Sequence, residues 1–352
     1  LHQAGYTGVT LFEPQAEPDG DFSTVPDQLP NPERPEVFDL AIRQAQHDGA
    51  VLVMASDPDA DRLGVAAPAA NGNFCVLSGN QLGTLLADHV LRHRRDDERH
   101  LQRKSYVVST LVTTPLIEKI ATHYGVTAVT DLLVGFKHIA GTIEDRGADG
   151  FLYGCEESSG YLAGTYCRDK DGAGAALLVA ELAAELHAEN RTLWNRLEDL
   201  YAIHGRLAEF QHAETAEGPS GQARISATMQ ALRRSPPARL GQVSWNRVLD
   251  YGTQEVRNLP DNLPIADLPS PSGDLVIFVA DTGPVRITLA ARPSGTEPKI
   301  KFYGFALEMT PQPNGHPGTT AGDVLDSVAT GLADFLERQL SLPTDRKTSA
   351  DE

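Results

Sequence analysis

Three carboxylates at alternate positions mark the stretch Asp57-Pro58-Asp59-Ala60-Asp61-Arg62. So much negative charge in one loop is costly unless a cation sits among the carboxylates or the loop stays solvated. Hard oxygen donors suit magnesium or calcium. An EF-hand loop counted from Asp57 needs Gly at its sixth position and Glu at its twelfth, where this chain has Arg62 and Pro68, so calcium-loop logic fails. A phosphatase with a nucleophilic strand-end aspartate ordinarily has Thr or Val where Asp61 stands. Three carboxylates that leave coordination positions open suit a magnesium ion that also touches phosphate. The alternative, a solvated turn whose aspartates cap a helix, stays open on this loop alone.

A second stretch, Gly154-Cys155-Glu156-Glu157-Ser158-Ser159-Gly160-Tyr161, suits sugar recognition, because one carboxylate accepts hydrogen bonds from two adjacent hydroxyls. In an extended backbone Glu156 and Ser158 point the same way. Helix capping by Ser158 or Ser159 is an equally weighted alternative in isolation. A third stretch, Arg292-Pro293-Ser294-Gly295-Thr296-Glu297-Pro298, joins a guanidinium fork to two hydroxyls and a glycine that exposes backbone amides, the parts of a phosphate cradle. Lys299 and Lys301 follow, and their alternation with Ile300 and Phe302 also fits a solvated strand face. In Gly135-Phe136-Lys137-His138, Lys137 is a candidate phosphate ligand and His138 a candidate for proton transfer near neutral pH, against the plain alternative of a surface pair opening a helix.

These loops need elements to hold them. Phe38, Ala41, Ile42 and Ala45 fall at helical spacing, Asp48-Gly49 closes that helix, and Ala50 to Ala55 reads as a buried strand that delivers the acidic loop at its carboxyl end. Strands are expected at Tyr106–Thr110, Val126–Thr130 and Phe151–Cys155, with helices near Pro115–Tyr124, Phe136–Arg146 and Gly174–Glu189. That alternation predicts a parallel sheet with right-handed crossovers and sites at the strands' carboxyl ends. Beyond about residue 205, His212–Gln222 and Ser235–Arg239 read as loops. Leu275–Ala280 and Val285–Ala291 form a hairpin about Asp281-Thr282-Gly283, and Ile300–Leu307 is a further strand. Pro311–Thr320 reads as a linker, Val324, Val328, Leu332 and Phe335 mark a last amphipathic helix, and the tail beyond Leu342 is polar. The fold class is therefore α/β, with partial and complete parallel α/β layers followed by an antiparallel sheet backed by helices.

The composition narrows the partners. With 30 Lys plus Arg against 48 Asp plus Glu, the formal net charge is -18, which argues against nonspecific binding to nucleic acid or anionic membranes. An anionic small substrate needs only a local basic pocket. Cys75, Cys155 and Cys167 form no CxxC pair and are odd in number, which favours a reducing, cytoplasmic setting over a disulfide framework. The most apolar stretch, Ala173 to Leu186, is broken by Glu181 and Glu185, so no membrane span is expected.

Taken together and in this order, the four loops resemble those of the α-D-phosphohexomutase family, which holds phosphoglucomutases, phosphomannomutases and phosphopentomutases. The resemblance covers nearly the whole chain and adds Phe22-Ser23-Thr24-Val25, Pro30-Asn31-Pro32-Glu33, Ser78-Gly79-Asn80 and Arg168-Asp169-Lys170-Asp171-Gly172. It implies residues 1–78 as part of the family's second domain, 79–205 as the third and 206–352 as the fourth. It implies an isomerase that interconverts sugar 1-phosphate with sugar 6-phosphate or pentose 5-phosphate through a bisphosphate. On that basis Asp57, Asp59 and Asp61 hold Mg2+, Glu156 and Ser158 meet the sugar hydroxyls, and Arg292, Ser294, Gly295 and Thr296 take the non-transferring phosphate. Arg62 would lie near the phosphoserine, with Lys137 and His138 as further catalytic candidates.

The family's phosphoserine belongs to a Thr-x-Ser-His-Asn type loop that these residues do not contain. The expectation is a piece of a longer enzyme, inactive alone as a mutase. Two other readings stand beside it: a noncatalytic sugar-phosphate binding protein, and a magnesium-dependent hydrolase, which lacks an evident nucleophile. Oligomeric state and the preferred sugar are open at this stage.

Overall fold

A computed structural model describes residues 1–94, 105–216, 220–269, 271–294, 298–309 and 320–340, and the chain divides into two compact units, Leu1–Leu200 and Tyr201–Glu352. In the first unit, α1 (Asp39–Asp48) ends at Gly49 and buries Phe38 and Ala45, as their spacing predicts. The strands β1 (Val53–Ser56), β2 (Leu63–Pro68) and β3 (Phe74–Leu77) form an antiparallel sheet in that order. The acidic loop does lie at the carboxyl end of β1, but it leads into an antiparallel neighbour and not into a crossover helix. Its length dictates this, since a parallel return needs a dozen or more residues.

Next, α2 (Gly79–Arg94) leads towards a second sheet. Here β4 (Tyr106–Thr110) is joined through α3 (Leu116–His123) to β5 (Thr127–Leu132), and β5 through α4 (Phe136–Arg146) to β6 (Phe151–Glu156). Both β5 and β6 pair parallel with β4, and β7 (Gly160–Leu162) folds back antiparallel on β6. The expected βαβαβ order is therefore present, with one antiparallel edge strand added. Tyr106, Val108, Ile139, Ile143 and Phe151 form its core. The expected junction at residue 78 lies inside this unit, between β3 and α2. Finally, α5 (Gly172–Ala188) runs from the end of the β7 loop, and α6 (Leu193–His204) carries the chain on.

The second unit comprises β8 (Leu207–Thr215), α7 (Gly221–Arg234), β9 (Arg239–Leu240), β10 (Val243–Ser244), β11 (Arg247–Asp250), β12 (Glu255–Asn258), β13 (Leu263–Asp267), β14 (Val276–Asp281), β15 (Val285–Pro293), β16 (Lys299–Glu308) and α8 (Ala321–Leu340). Seven strands form one antiparallel sheet, ordered β13-β12-β11-β14-β15-β16-β8. Phe278, Ile287, Leu289 and Phe302 of the sheet share a core with Ile225 and Met229 of α7 and with Leu325, Val328 and Leu332 of α8. Thr320 and Asp323 start α8 with reciprocal bonds of a capping box, Thr320 N to Asp323 Oδ2 at 2.9 Å and Asp323 N to Thr320 Oγ1 at 3.1 Å.

The expectation of a loop over His212–Gln222 is corrected. His212–Thr215 belong to β8, and Gly221 opens α7. Among the described residues, β8 is an edge strand that pairs only with β16, and Gln211, His212 and Ala213 are exposed, so no buried alternation advertises it. Ser235–Arg239 is a loop up to Arg239, which begins β9. Most of the Pro311–Thr320 linker and the tail beyond Leu342 lie outside the described residues. Among the described residues, no helix is long and apolar enough to cross a membrane.

Candidate functional site

The acidic loop folds as its charges require. Asp57 Oδ1 accepts the backbone N–H of Arg62 at 3.0 Å, which curls the loop and turns its carboxylates inward. One carboxylate oxygen from each of Asp57, Asp59 and Asp61 lies within 4.8 Å of the others. Burial raises the pKa of Asp57, the Arg62 N–H opposes this, and the charges of Asp61 and Asp59 push it further up. Asp61 Oδ1 is buried without a hydrogen-bond partner among the described residues. Mutual repulsion, an orphaned anionic oxygen and an all-oxygen donor set together fit a hard divalent cation of the magnesium class.

Two cations already flank the loop. Arg62 Nε stands 3.5 Å from Asp57 Oδ2 and 3.8 Å from Asp61 Oδ1, while its NH1 donates to Glu33 Oε1 at 3.1 Å. Lys170 Nζ lies 2.7 Å from Asp61 Oδ2. Burial works against the charge on Lys170, but hydrogen bonds to Asp61 and Asp169 outweigh it and raise its pKa. The lysine stem passes over Gly160, where a Cβ would come within 2.4 Å of Lys170 Cδ, so that position has no room for a side chain without moving the lysine. Gly172 makes a similar close approach, because a Cβ there would meet Ala60 O at 2.7 Å and Arg62 O at 2.9 Å. The start of α5 thus rests on the acidic loop, and Gly172 N donates to Ala60 O at 3.1 Å.

The Glu156–Gly160 stretch lies against the same loop, with Leu63 N donating to Ser159 O at 3.0 Å and an isolated bridge joining Arg62 to Gly160. Glu156 ends β6, and Glu157–Ser159 form a turn in which Ser159 has φ +62°. The extended backbone that would align Glu156 with Ser158 is therefore replaced by a turn. Glu156 is 4% exposed, and its Oε1 accepts the Gly135 N–H at 2.8 Å, while Ser158 is half-buried. This bond brings Gly135, exposed Lys137 and half-buried His138 to the end of β6, and both side chains flank Gly135. Burial, then the charge of Lys137, lowers the pKa of His138 and keeps its imidazole neutral near pH 7.

In the second unit, Arg292 lies near the end of β15 and Ser294 just beyond it, where Ser294 N donates to Lys299 O of β16 at 2.8 Å. Arg292 lies opposite Lys301 in the ladder. Like charges opposed across two strands are unfavourable, and an anion between them relieves the repulsion. Gly295 and Thr296 lie outside the described residues. Of the residues that matter most in this geometry, Lys170 and Glu33 were visible in the sequence only inside the secondary stretches of the family resemblance. Their partners, Asp61 and Arg62, are distant along the chain.

Two family descriptions match the chain: "Phosphoglucomutase/phosphomannomutase, alpha/beta/alpha domain II" over residues 1–71 and domain III over residues 78–203. A phosphoglucomutase of Staphylococcus haemolyticus is 34% identical over 304 residues, covering 86% of this chain and 53% of its own length. A phosphoglucomutase of Staphylococcus aureus is likewise 34% identical over 304 residues, with the same coverage. The chain thus spans about half the length of the curated relatives it matches. Among solved structures, Paramecium parafusin, described as a phosphoglucomutase, superposes with a TM-score of 0.57 at 17% identity, over 92% of this chain and 52% of that one. A putative phosphomannomutase of Thermus thermophilus gives 0.53 at 18% identity, over 91% and 53%. These two share the fold. With the family's own domain II and domain III patterns running through residues 1–203, the chain belongs to the phosphoglucomutase/phosphomannomutase family.

Proposed function

We propose that this chain supplies the cation, sugar and distal-phosphate subsites of a phosphosugar mutase, an isomerase that moves a phosphoryl group between the 1-position and the 6-position of a hexose, or the 5-position of a pentose. One observation carries the proposal most strongly: Asp57, Asp59 and Asp61 converge on one point while Arg62 and Lys170 stand beside them. Phosphoryl transfer needs little covalent chemistry from a protein beyond positioning and charge stabilisation. Bound among the three carboxylates, Mg2+ would neutralise the charge developing on the transferring phosphoryl oxygens. Arg62 and Lys170 place fixed positive charge at the same edge. Glu156 holds the Gly135 turn, and through it Lys137 and His138, next to the loop that would receive the sugar. Neutral His138 is suited to accept a hydroxyl proton. Arg292 and Ser294, with Lys301 opposite, suit the phosphate that is not being transferred. Bisphosphate reorientation between the two transfers lets one site serve both ends of the sugar.

The phosphoryl carrier is the part these residues do not contain, since no Thr-x-Ser-His-Asn loop occurs in the sequence. We therefore expect the 352-residue chain to bind glucose 1-phosphate in calorimetry but to give no glucose 6-phosphate in a coupled mutase assay. Measurable turnover by this chain would overturn the assignment of roles. Failure to bind any hexose or pentose phosphate would remove the proposal altogether.

A further inference from the structure

Away from the acidic loop, α2 and α5 bring a second set of ligating side chains together. His89 and His93 stand one turn apart on α2, and Glu181 and Glu185 one turn apart on α5. A ligand atom from each of His89, His93 and Glu185 falls within 4.8 Å of the other two. His93 Nε2 is 2.7 Å from Glu185 Oε1. His89 is 3% exposed, and its Nδ1 lies 3.9 Å from Glu185 Oε2 with no hydrogen-bond partner among the described residues. On the other side of the ring, Nε2 sits 3.5 Å from Glu181 Oε2.

That arrangement has a chemical reading. In the tautomer that lets a neutral His89 donate from Nε2 to Glu181, the Nδ1 lone pair is directed towards Glu185. A buried nitrogen lone pair facing a carboxylate is repulsive unless a cation lies between them. The carboxylate–imidazole–metal relay has this form, with the outer carboxylate fixing tautomer and ring orientation. Arg92 NH2 donates to Glu185 Oε2 at 2.8 Å and leaves Oε1 to face His93. Two imidazoles and one carboxylate are the donor set of a borderline divalent ion, with bonds of about 2.0–2.2 Å and ligand atoms about 3.3–3.5 Å apart in a tetrahedron. Metal binding would require His93 and Glu185, whose side chains are 50% and 37% exposed, to move closer to His89.

We propose that His89, His93 and Glu185 form a transition-metal site of the zinc class, oriented by Glu181, that fastens α2 to α5. It is separate in chemistry from the all-carboxylate loop, and magnesium, which prefers oxygen donors, does not fill it. It stands independently of the mutase proposal, since it uses none of the same residues.

The test titrates the full chain with zinc chloride against a chromophoric chelator, in excess magnesium so that the acidic loop is occupied. One equivalent should bind in the wild type, and His93→Ala and Glu185→Gln should each weaken it by at least about tenfold. Both substitutions are at partly exposed positions, and a far-ultraviolet spectrum checks that the variants fold. Zinc should raise the thermal midpoint of the wild type and leave that of His93→Ala unmoved. Cobalt should give intense visible bands, characteristic of nitrogen-containing four- or five-coordinate sites, that vanish in the same variant. Absence of zinc binding in magnesium overturns the proposal, as does equal affinity in His93→Ala. Either result would leave an ordinary ion-pair cluster of Arg92, Glu185 and His93.

Discussion

Asp61 is divided between two kinds of partner. One oxygen meets Lys170 at 2.7 Å, and the other is buried without a hydrogen bond among the described residues. Lys170 is then both an ion-pair partner and a competitor for any cation in the loop. Replacing it (Lys170→Met) leaves Asp61 short of positive charge, at a cost of about 1–2 kcal/mol once partial exposure is allowed for. A urea midpoint measured with and without magnesium should show the loss, and should show a larger stabilisation by magnesium in the variant than in the wild type. Equal stabilisation in both proteins would mean that Lys170 and the cation do not share the site. Arg292 allows a different residue test. Under the proposed phosphate role, Arg292→Ala should weaken glucose 1-phosphate binding by at least about tenfold and change glucose binding far less, because a guanidinium gains more from a phosphate dianion than from a neutral hydroxyl. Calorimetry showing equal losses for both ligands would remove the phosphate role.

Among the helices of the first unit, a buried charge network ties α2 to α3 and α6. Asp88 of α2 is 1% exposed, and it accepts the Tyr124 hydroxyl on Oδ1 at 2.9 Å and Arg196 on Oδ2 at 3.0 and 2.7 Å. Asp88→Asn keeps the shape but strands the guanidinium, for a predicted loss of about 2–3 kcal/mol in chemical denaturation. An unchanged midpoint would deny the network a structural role. Burial first, and the Asp88 charge second, push Tyr124 up to about 12. A raised folded-state pKa means that this contribution is fully present below the ordinary tyrosine value of about 10, and is lost as pH rises from there to about 12. In Asp88→Asn a spectrophotometric tyrosinate titration should show that group ionising at lower pH.

The same elements explain how much the sequence disclosed. The α4 boundaries, Phe136–Arg146, follow from periodic apolar residues bounded by Gly135 and Gly147. By contrast α2 is hidden, because buried Asn80, Thr84, Asp88 and His89 interrupt its apolar stripe; Thr84 bonds back to Asn80 O within the helix, while Asn80, Asp88 and His89 meet groups outside it. Edge strand β8 was concealed by one-sided pairing. The acidic loop was legible as a cation site because its three carboxylates are local in sequence, whereas Lys170 and Glu33 reach it only through tertiary packing. The turn at Glu157–Ser159 defeated strand alternation for the same reason: Ser159 takes its φ of +62° where its carbonyl meets Leu63 of another sheet.

For the whole molecule, the formal net charge of -18 repels anions, so the anion sites proposed above require local attraction. Arg62 and Lys170 supply it at the acidic loop, and Arg292 with Lys301 supplies it at the β15–β16 return. The proposed function depends most directly on whether the acidic loop holds a hard cation. Manganese is the direct probe, since it takes the same oxygen donors as magnesium and its free ion is counted by electron paramagnetic resonance. In titrations of the wild type and Asp59→Asn, the account predicts a manganese site in the wild type that magnesium displaces and that weakens by at least about tenfold in the variant, a change of about 1.4 kcal/mol. Identical manganese binding in the two proteins, or none in the wild type, would contradict it.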